Sequence, residues 1–278
     1  MGKALADRFS RIGMIAGITL TGAVRQRMVL LVGILGAGLI GGAHYLWEFD
    51  FGSAEQKFLM DLGFGTVGMF GTLLAIVATA QSWWDELDGK TAQITLARPV
   101  TRVEFVLGKL VGLAGLLGFF AAVMTTILML VLWWRAGPRD AMETLILGWT
   151  SVPYGAISVC GFLQWVRLCV VAAMTLFIAS YAGSALFTIV LGVMFAVIGH
   201  LQFLLHEPGD GGDGGIGQAA AILIGLVFPN FRLFDLGGII AGDGQLTPEL
   251  TMGVAGYGGL YVAVYAALAA CSFSRRDL

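Results

Sequence analysis

Residues 168–206 read LCVVAAMTLFIASYAGSALFTIVLGVMFAVIGHLQFLLH, 39 positions without one Asp, Glu, Lys or Arg. A helix crosses the roughly 30 Å hydrocarbon core of a bilayer with about 20 apolar residues, so this stretch is too long for one crossing and right for two. Its middle, Ser180, Tyr181, Ala182, Gly183 and Ser184, is made mostly of small residues that permit a tight hairpin. The stretch therefore predicts a pair of antiparallel membrane helices.

Outward from it, four more uncharged runs cover 28–47, 62–84, 110–134 and 250–274. Each is long enough for a single span, which makes six. The composition agrees: 58% hydrophobic and 12% charged residues, with a mean hydropathy of +0.85, exclude soluble domains, which carry about 25% charge. A net charge of −2 excludes the basic footprint of a nucleic-acid binder. The predicted fold class is thus all-α, a polytopic membrane protein of six transmembrane helices over 28–274. Two further apolar stretches compete. Residues 144–166 contain Pro153 and Gly155 and read as an interfacial segment leading into helix four. Residues 216–231, closed by Pro229, Asn230 and Arg232, are short for a crossing and suit a re-entrant or interfacial piece. An eight-span arrangement would leave the termini on the same side.

Orientation follows from charge. With six spans, residues 1–27, 85–109 and 275–278 share one face and hold 11 of the 16 basic residues, whereas the opposite face and its helix ends hold 12 of the 18 acids. Cytoplasmic flanks collect Lys and Arg, so both termini are expected in the cytoplasm. Trp47, Trp83, Trp84, Trp133 and Trp134 fall at span ends, where indole rings settle. The 41 glycines, many within spans, permit close helix approach inside one bundle or between subunits. In residues 1–27, Leu5, Phe9, Ile12, Ala16, Thr19 and Ala23 recur at helical spacing with most charges elsewhere. That pattern describes an amphipathic helix on the inner membrane surface rather than a cleaved signal peptide, because Arg25, Arg27 and helix one follow at once.

Several enzyme motifs match only by accident. Gly36, Gly38 and Gly41 satisfy a dinucleotide fingerprint but lie inside an apolar span with no strand before them. Gly89, Lys90 and Thr91 resemble the end of a phosphate-binding loop, yet Trp84 stands where its first glycine belongs, and Asp85, Glu86 and Asp88 would repel phosphate. The chain is expected to bind no ATP itself. His44, His200 and His206 fall at helix ends without companion ligands, and Cys160, Cys169 and Cys271 suggest apolar packing, so no metal is expected. The Gly/Asp run 209–217 reads as a flexible acidic turn, with too few ligands for calcium.

One internal cytoplasmic loop differs from its surroundings: WWDELDGKTAQITLARPVTRVEFVLGK, residues 83–109. Asp85, Glu86 and Asp88 leave the membrane first, Gly89 breaks the helix, and Thr91–Ala97 can form a short helix with Ile94 and Leu96 on one side. Arg98 and Pro99 turn the chain before Arg102 and Lys109 start the next span. Such an element suits docking into a groove on a cytoplasmic partner, and composition equally allows a solvated turn.

Glu86, Gly89, Thr91, the run Arg98-Pro99-Val100-x-Arg102 and the pair Gly108-Lys109 resemble the membrane subunit of ABC-2-type transporters. The likeness is closest to the branch associated with multicopper enzyme and nitrous oxide reductase maturation. It extends over most of the chain as an order of parts, although Gly22 and Ala23 stand where an acidic residue is expected before Arg25. The resemblance implies a permease in a bacterial inner membrane, paired with a second copy of itself or a similar permease and with two cytoplasmic ABC ATPase subunits that bind ATP and Mg. It assigns ATPase coupling to Asp85, Glu86, Asp88, Gly89, Thr91, Arg98, Pro99, Arg102 and Lys109. It makes Gly33, Gly36, Gly38 and Gly41 of helix one, with Gly183, Ser184 and Gly192 of helix five, candidates for the dimer interface. Segment 207–249 becomes an outer gate or cap bearing Pro229, Asn230, Arg232 and Asp235. Two other readings stay open: a non-transporting scaffold with the same fold, and an intramembrane lipid-processing enzyme, which would need ionisable groups at depth that the spans lack apart from Arg167 at a helix end.

Overall fold

A computed structural model describes residues 2–42, 55–88, 101–147, 154–202, 225, 227–235 and 247–275. Among these every regular element is helical: α1 (Gly2–Val24), α2 (Arg27–Gly42), α3 (Glu55–Asp88), α4 (Arg102–Leu147), α5 (Tyr154–Tyr181), α6 (Ala185–Leu201), a 3₁₀ turn (Phe231–Phe234) and α7 (Pro248–Ser274). Four helices are long and apolar enough to cross a membrane: Phe58–Leu87, Arg102–Trp134, Tyr154–Tyr181 and Pro248–Ser274. A fifth crossing arises if Ser10–Val24 and Arg27–Gly42, bent by 64°, act as one broken span. α6 has only 17 residues, a rise of roughly 25 Å, and falls just short of the same standard.

The uncharged run 168–206 divides where its small residues predict. α5 ends at Tyr181 and α6 begins at Ala185, with the Ser184 side chain accepting a hydrogen bond from the Phe187 amide at 3.2 Å as N-cap. The start of the fourth span differs from the sequence expectation. Residues 154–166 are no interfacial lead-in, because they form the first half of α5. Pro153 lies outside the described residues, and Gly155 sits in the first helical turn, where few intrahelical bonds depend on it.

α5 is the hub, packing against α3, α4, α6 and α7. Leu168 to Leu176 are buried on every side, which explains why this span carries no amphipathic stripe.

α1 packs one face on α4. Arg11 meets Glu104, Ile15 meets Gly108, Thr19 meets Gly112 and Leu20 meets Gly115, so α1 runs alongside the first turns of α4 in the same direction. A Cβ on Gly112 would lie 2.7 Å from the Ala16 carbonyl oxygen; only hydrogen there allows the approach. Ile15, Ala16, Thr19 and Ala23 are buried by this packing, while Met14 and Ile18 are exposed on the opposite face. The periodicity fits a helix with one face against protein, and Met14 and Ile18 leave an apolar face open.

Candidate functional site

The base of the bundle is where α3, α4 and α7 end together. Glu86 in the last turns of α3 lies 3.0 Å from the Lys109 Nζ of α4. Lys109 is wholly enclosed and also donates to the Ser82 carbonyl and, at 3.1 Å, to the Ser82 hydroxyl. Its ammonium sits 5.8 Å from the Trp83 ring centre and 5.5 Å from that of Phe105. An enclosed cation survives because carboxylate, carbonyl, hydroxyl and ring faces all answer it. Trp83, Phe105 and Phe273 pack mutually, with centroids 5.1 to 5.9 Å apart, so the aromatic floor joins α3, α4 and α7.

Arg102 opens α4 and reaches to α7, donating to the Phe273 carbonyl at 2.8 Å and the Ser274 carbonyl at 3.0 Å. A cation on carbonyls freed at a helix end satisfies acceptors that have no intrahelical partner. The first turn of α4 is closed by a capping box that the sequence reading passed over. The Thr101 amide donates to Glu104 Oε2 at 3.1 Å, and the Glu104 amide donates to Thr101 Oγ1 at 3.3 Å. Glu104 also lies 3.7 Å from Arg11. Its signal was present as Thr-x-x-Glu ahead of an apolar run.

Of the predicted coupling residues, Glu86, Arg102 and Lys109 are therefore brought together with α7, and Asp85 is exposed beside them. Asp88 ends α3. Gly89, Thr91, Arg98 and Pro99 lie outside the described residues.

The second region is the 3₁₀ turn and the chain before it. Asn230 caps the turn, its Oδ1 accepting from the Arg232 amide at 3.0 Å. Phe231 and Phe234 are buried; Phe231 fills the space beside Gly199 of α6, close to the Pro229 carbonyl, and Phe234 that beside Gly258 of α7. Three tyrosines one turn apart on α7 hold the approaching backbone. Tyr265 donates to the Val227 carbonyl at 2.6 Å, Tyr261 to the Gly225 carbonyl at 3.3 Å, and Tyr257 accepts from the Asn230 amide at 3.0 Å. Tyr265 lies nine residues inside Ser274, roughly 14 Å along the helix, so the helical backbone at Gly225 and Val227 that precedes the turn is held well within the length of α7. At such depth each amide and carbonyl needs a protein partner. Arg232 lies within the turn, Asp235 closes it, and Asp235 lines a cavity between α3, α5 and α6.

The dimer candidates separate. Gly36 packs against Met124 and Thr66, and Gly192 against Ile76 and Thr175, so both serve the chain's own packing. Gly33, Gly38, Gly41 and Gly183 have open space where a Cβ would stand, and Ser184 is the α6 cap. Around them α2 exposes Leu30, Ile34 and Leu35, and α6 exposes Leu186, Val190 and Met194. Arg167, expected at a helix end, lies midway along α5 and is buried, a correction that follows from α5 starting at Tyr154.

Residues 13–278 match the family described as ABC-2 family transporter protein. The chain belongs to that family. This ABC-2 permease is accordingly a multi-pass membrane protein and a transport component that is not itself catalytic. No curated protein matches the permease. Among its described residues no cluster of three His, Cys, Asp or Glu side chains is arranged to hold a metal ion.

Proposed function

We propose that the permease is the membrane half of an ABC exporter, in which a cytoplasmic ATPase pair drives two permease subunits by pressing on the 85–109 connection. The observation that carries this reading is the base just described. Lys109 and Glu86 clamp α4 to α3, and Arg102 clamps α4 to the end of α7. Both roots of the connection are thus anchored in buried or half-buried polar contacts, and a displacement applied between residues 88 and 101 reaches three helices rather than one flexible turn. Family membership supports the partnership, since ABC-2 permeases generally work with a cytoplasmic ABC ATPase and dimerise.

In this reading ATP and Mg belong to the ATPase, the termini and the 85–109 connection are cytoplasmic, and six spans are completed by α2 and α6. The open face of α2 and the start of α6 around Gly183 and Leu186 meet a second copy, with Gly33, Gly38, Gly41 and Gly183 replacing Gly36 and Gly192 as the close-contact positions. The turn at 227–235 forms the inner wall of an outer, re-entrant cap. Assignment to the branch that serves multicopper enzyme and nitrous oxide reductase maturation rests on the loop residues alone.

The test is ATPase stimulation and transport in a reconstituted complex with the ATPase subunit that co-purifies with the permease. Glu86→Ala and Arg102→Ala are expected to reduce transport per ATP hydrolysed by about tenfold, the equivalent of losing one charge-assisted contact. Unchanged coupling in both variants, or crosslinks from residues 85–109 that reach no ATPase, overturns the proposal.

A further inference from the structure

Between α3, α5 and α6 lies a cavity of about 400 Å³ whose walls are apolar except at one end. That end holds Arg167, which is 5% exposed. Its Nη2 lies 3.1 Å from His200 Nδ1, its Nη1 is 3.4 Å from Gln164 Oε1, and its guanidinium stands 5.4 Å from the Phe231 ring centre. None of these partners is an anion, and the Nε of Arg167 is buried with no hydrogen-bond partner among the described residues. Asp235, which lines the same cavity, acts on it electrostatically, yet it lies exposed at the wall and no ion pair within 4.0 Å joins the two among the described residues. Gly68 keeps the space beside the guanidinium open, since a Cβ there would stand 3.0 Å from Nη1.

A guanidinium held in a span without a paired anion is costly, and such groups persist where a ligand supplies the missing charge. Arginine presents a planar fork that matches phosphate oxygens, and Arg167 lines the cavity with that fork unpaired by any carboxylate among the described residues. The apolar part of the site points to the rest of the ligand. Met69, Leu73 and Val197 rim the cavity and are exposed on the outside of the bundle, so an acyl chain can enter from the lipid phase. Arg167 lies 14 residues from Tyr181 and His200 lies 15 from Ala185, each roughly 21–23 Å from the α5–α6 hairpin. In a core about 30 Å thick that is the half remote from the hairpin, within reach of a headgroup drawn inward. Asp235 at the wall disfavours polyanions and tolerates a head with one negative charge or an added ammonium.

We propose that this cavity binds one phospholipid-class amphiphile, its phosphodiester against Arg167 and His200 and one chain along Met69, Leu73, Val193 and Val197. Binding needs no ATPase, so its failure and the failure of the transport reading are separable.

The experiment uses delipidated full-length permease in detergent and phosphatidylglycerol carrying a photoactivatable group on one acyl chain, with crosslinked peptides mapped by mass spectrometry. Saturable capture near one lipid per chain, on peptides containing residues 69–73 or 193–197, is expected. Arg167→Gln should weaken it by at least about tenfold through loss of the charged fork. Val197→Trp, on the exposed rim and remote from the buried core, should do the same by blocking the chain while the elution profile stays that of wild type. Diacylglycerol with the same chains should not compete. Undiminished capture in a well-folded Val197→Trp protein, equal competition by diacylglycerol, or displacement by inorganic phosphate overturns the proposal. A second copy of the permease crosslinked across the cavity mouth in place of lipid overturns it as well.

Discussion

Lys109 Nζ and Glu86 Oε1 are 3.0 Å apart across two helices, with the lysine wholly enclosed and the glutamate side chain 25% exposed. The two partners are therefore unequal. Removing Glu86 leaves a buried ammonium still held by Ser82 and two ring faces, whereas removing Lys109 leaves a carboxylate that is already partly exposed. Glu86→Ala is expected to destabilise the permease by roughly 1–3 kcal/mol, the usual cost of stranding a buried partner. The double variant Glu86→Ala/Lys109→Met is expected to recover part of that loss, because an apolar chain of similar size replaces the cation. Thermal unfolding in detergent checks this. A double variant no more stable than the two single losses added together would show that the pair is not coupled.

Gly112 and Gly38 belong to the same residue type in the same kind of helix but meet different surroundings. Gly112→Val places a Cβ against the Ala16 carbonyl and the Thr19 side chain and is expected to cost roughly 1–3 kcal/mol by forcing α1 away from α4. Gly38→Val meets nothing within 4 Å and should leave the subunit fold unchanged while weakening self-association. Fluorescence-detected size exclusion with a melting step distinguishes the two. Equal stability of both variants would refute the α1–α4 packing.

Tyr265→Phe removes the hydroxyl that donates to the Val227 carbonyl at 2.6 Å. The expected outcome is a loss of roughly 0.5–1.5 kcal/mol, the usual net worth of one such bond. The midpoint of thermal unfolding in detergent measures it. An unchanged midpoint would show that the bond does not hold that backbone to α7.

Much of the architecture was legible because hydropathy is additive along the chain. The hairpin between α5 and α6 could be read from Ser180 to Ser184, and the base of the bundle from Arg102 and Lys109 following a polar connection. The start of α5 was misread because Pro153 and Gly155 look like breakers wherever they stand, while their effect depends on whether they lie before a helix or in its first turn. The Thr101–Glu104 capping box was legible and passed over. The tyrosine ladder of α7 was harder to see, for Tyr257, Tyr261 and Tyr265 are ordinary aromatic residues until a backbone is laid against them.

Arg167 marks the boundary between the two kinds of knowledge. That a chain so poor in charge must lie in lipid, and which connection carries the polar residues, were determined by the sequence itself, because the cost of placing charge in hydrocarbon is paid residue by residue. Which glycines are filled by a neighbour and which stay open, which lysine is sealed beneath an aromatic floor, and which arginine lines a cavity were decided only by tertiary structure. Those properties depend on what residues distant along the chain bring within a few ångströms, and no local pattern contains that distance.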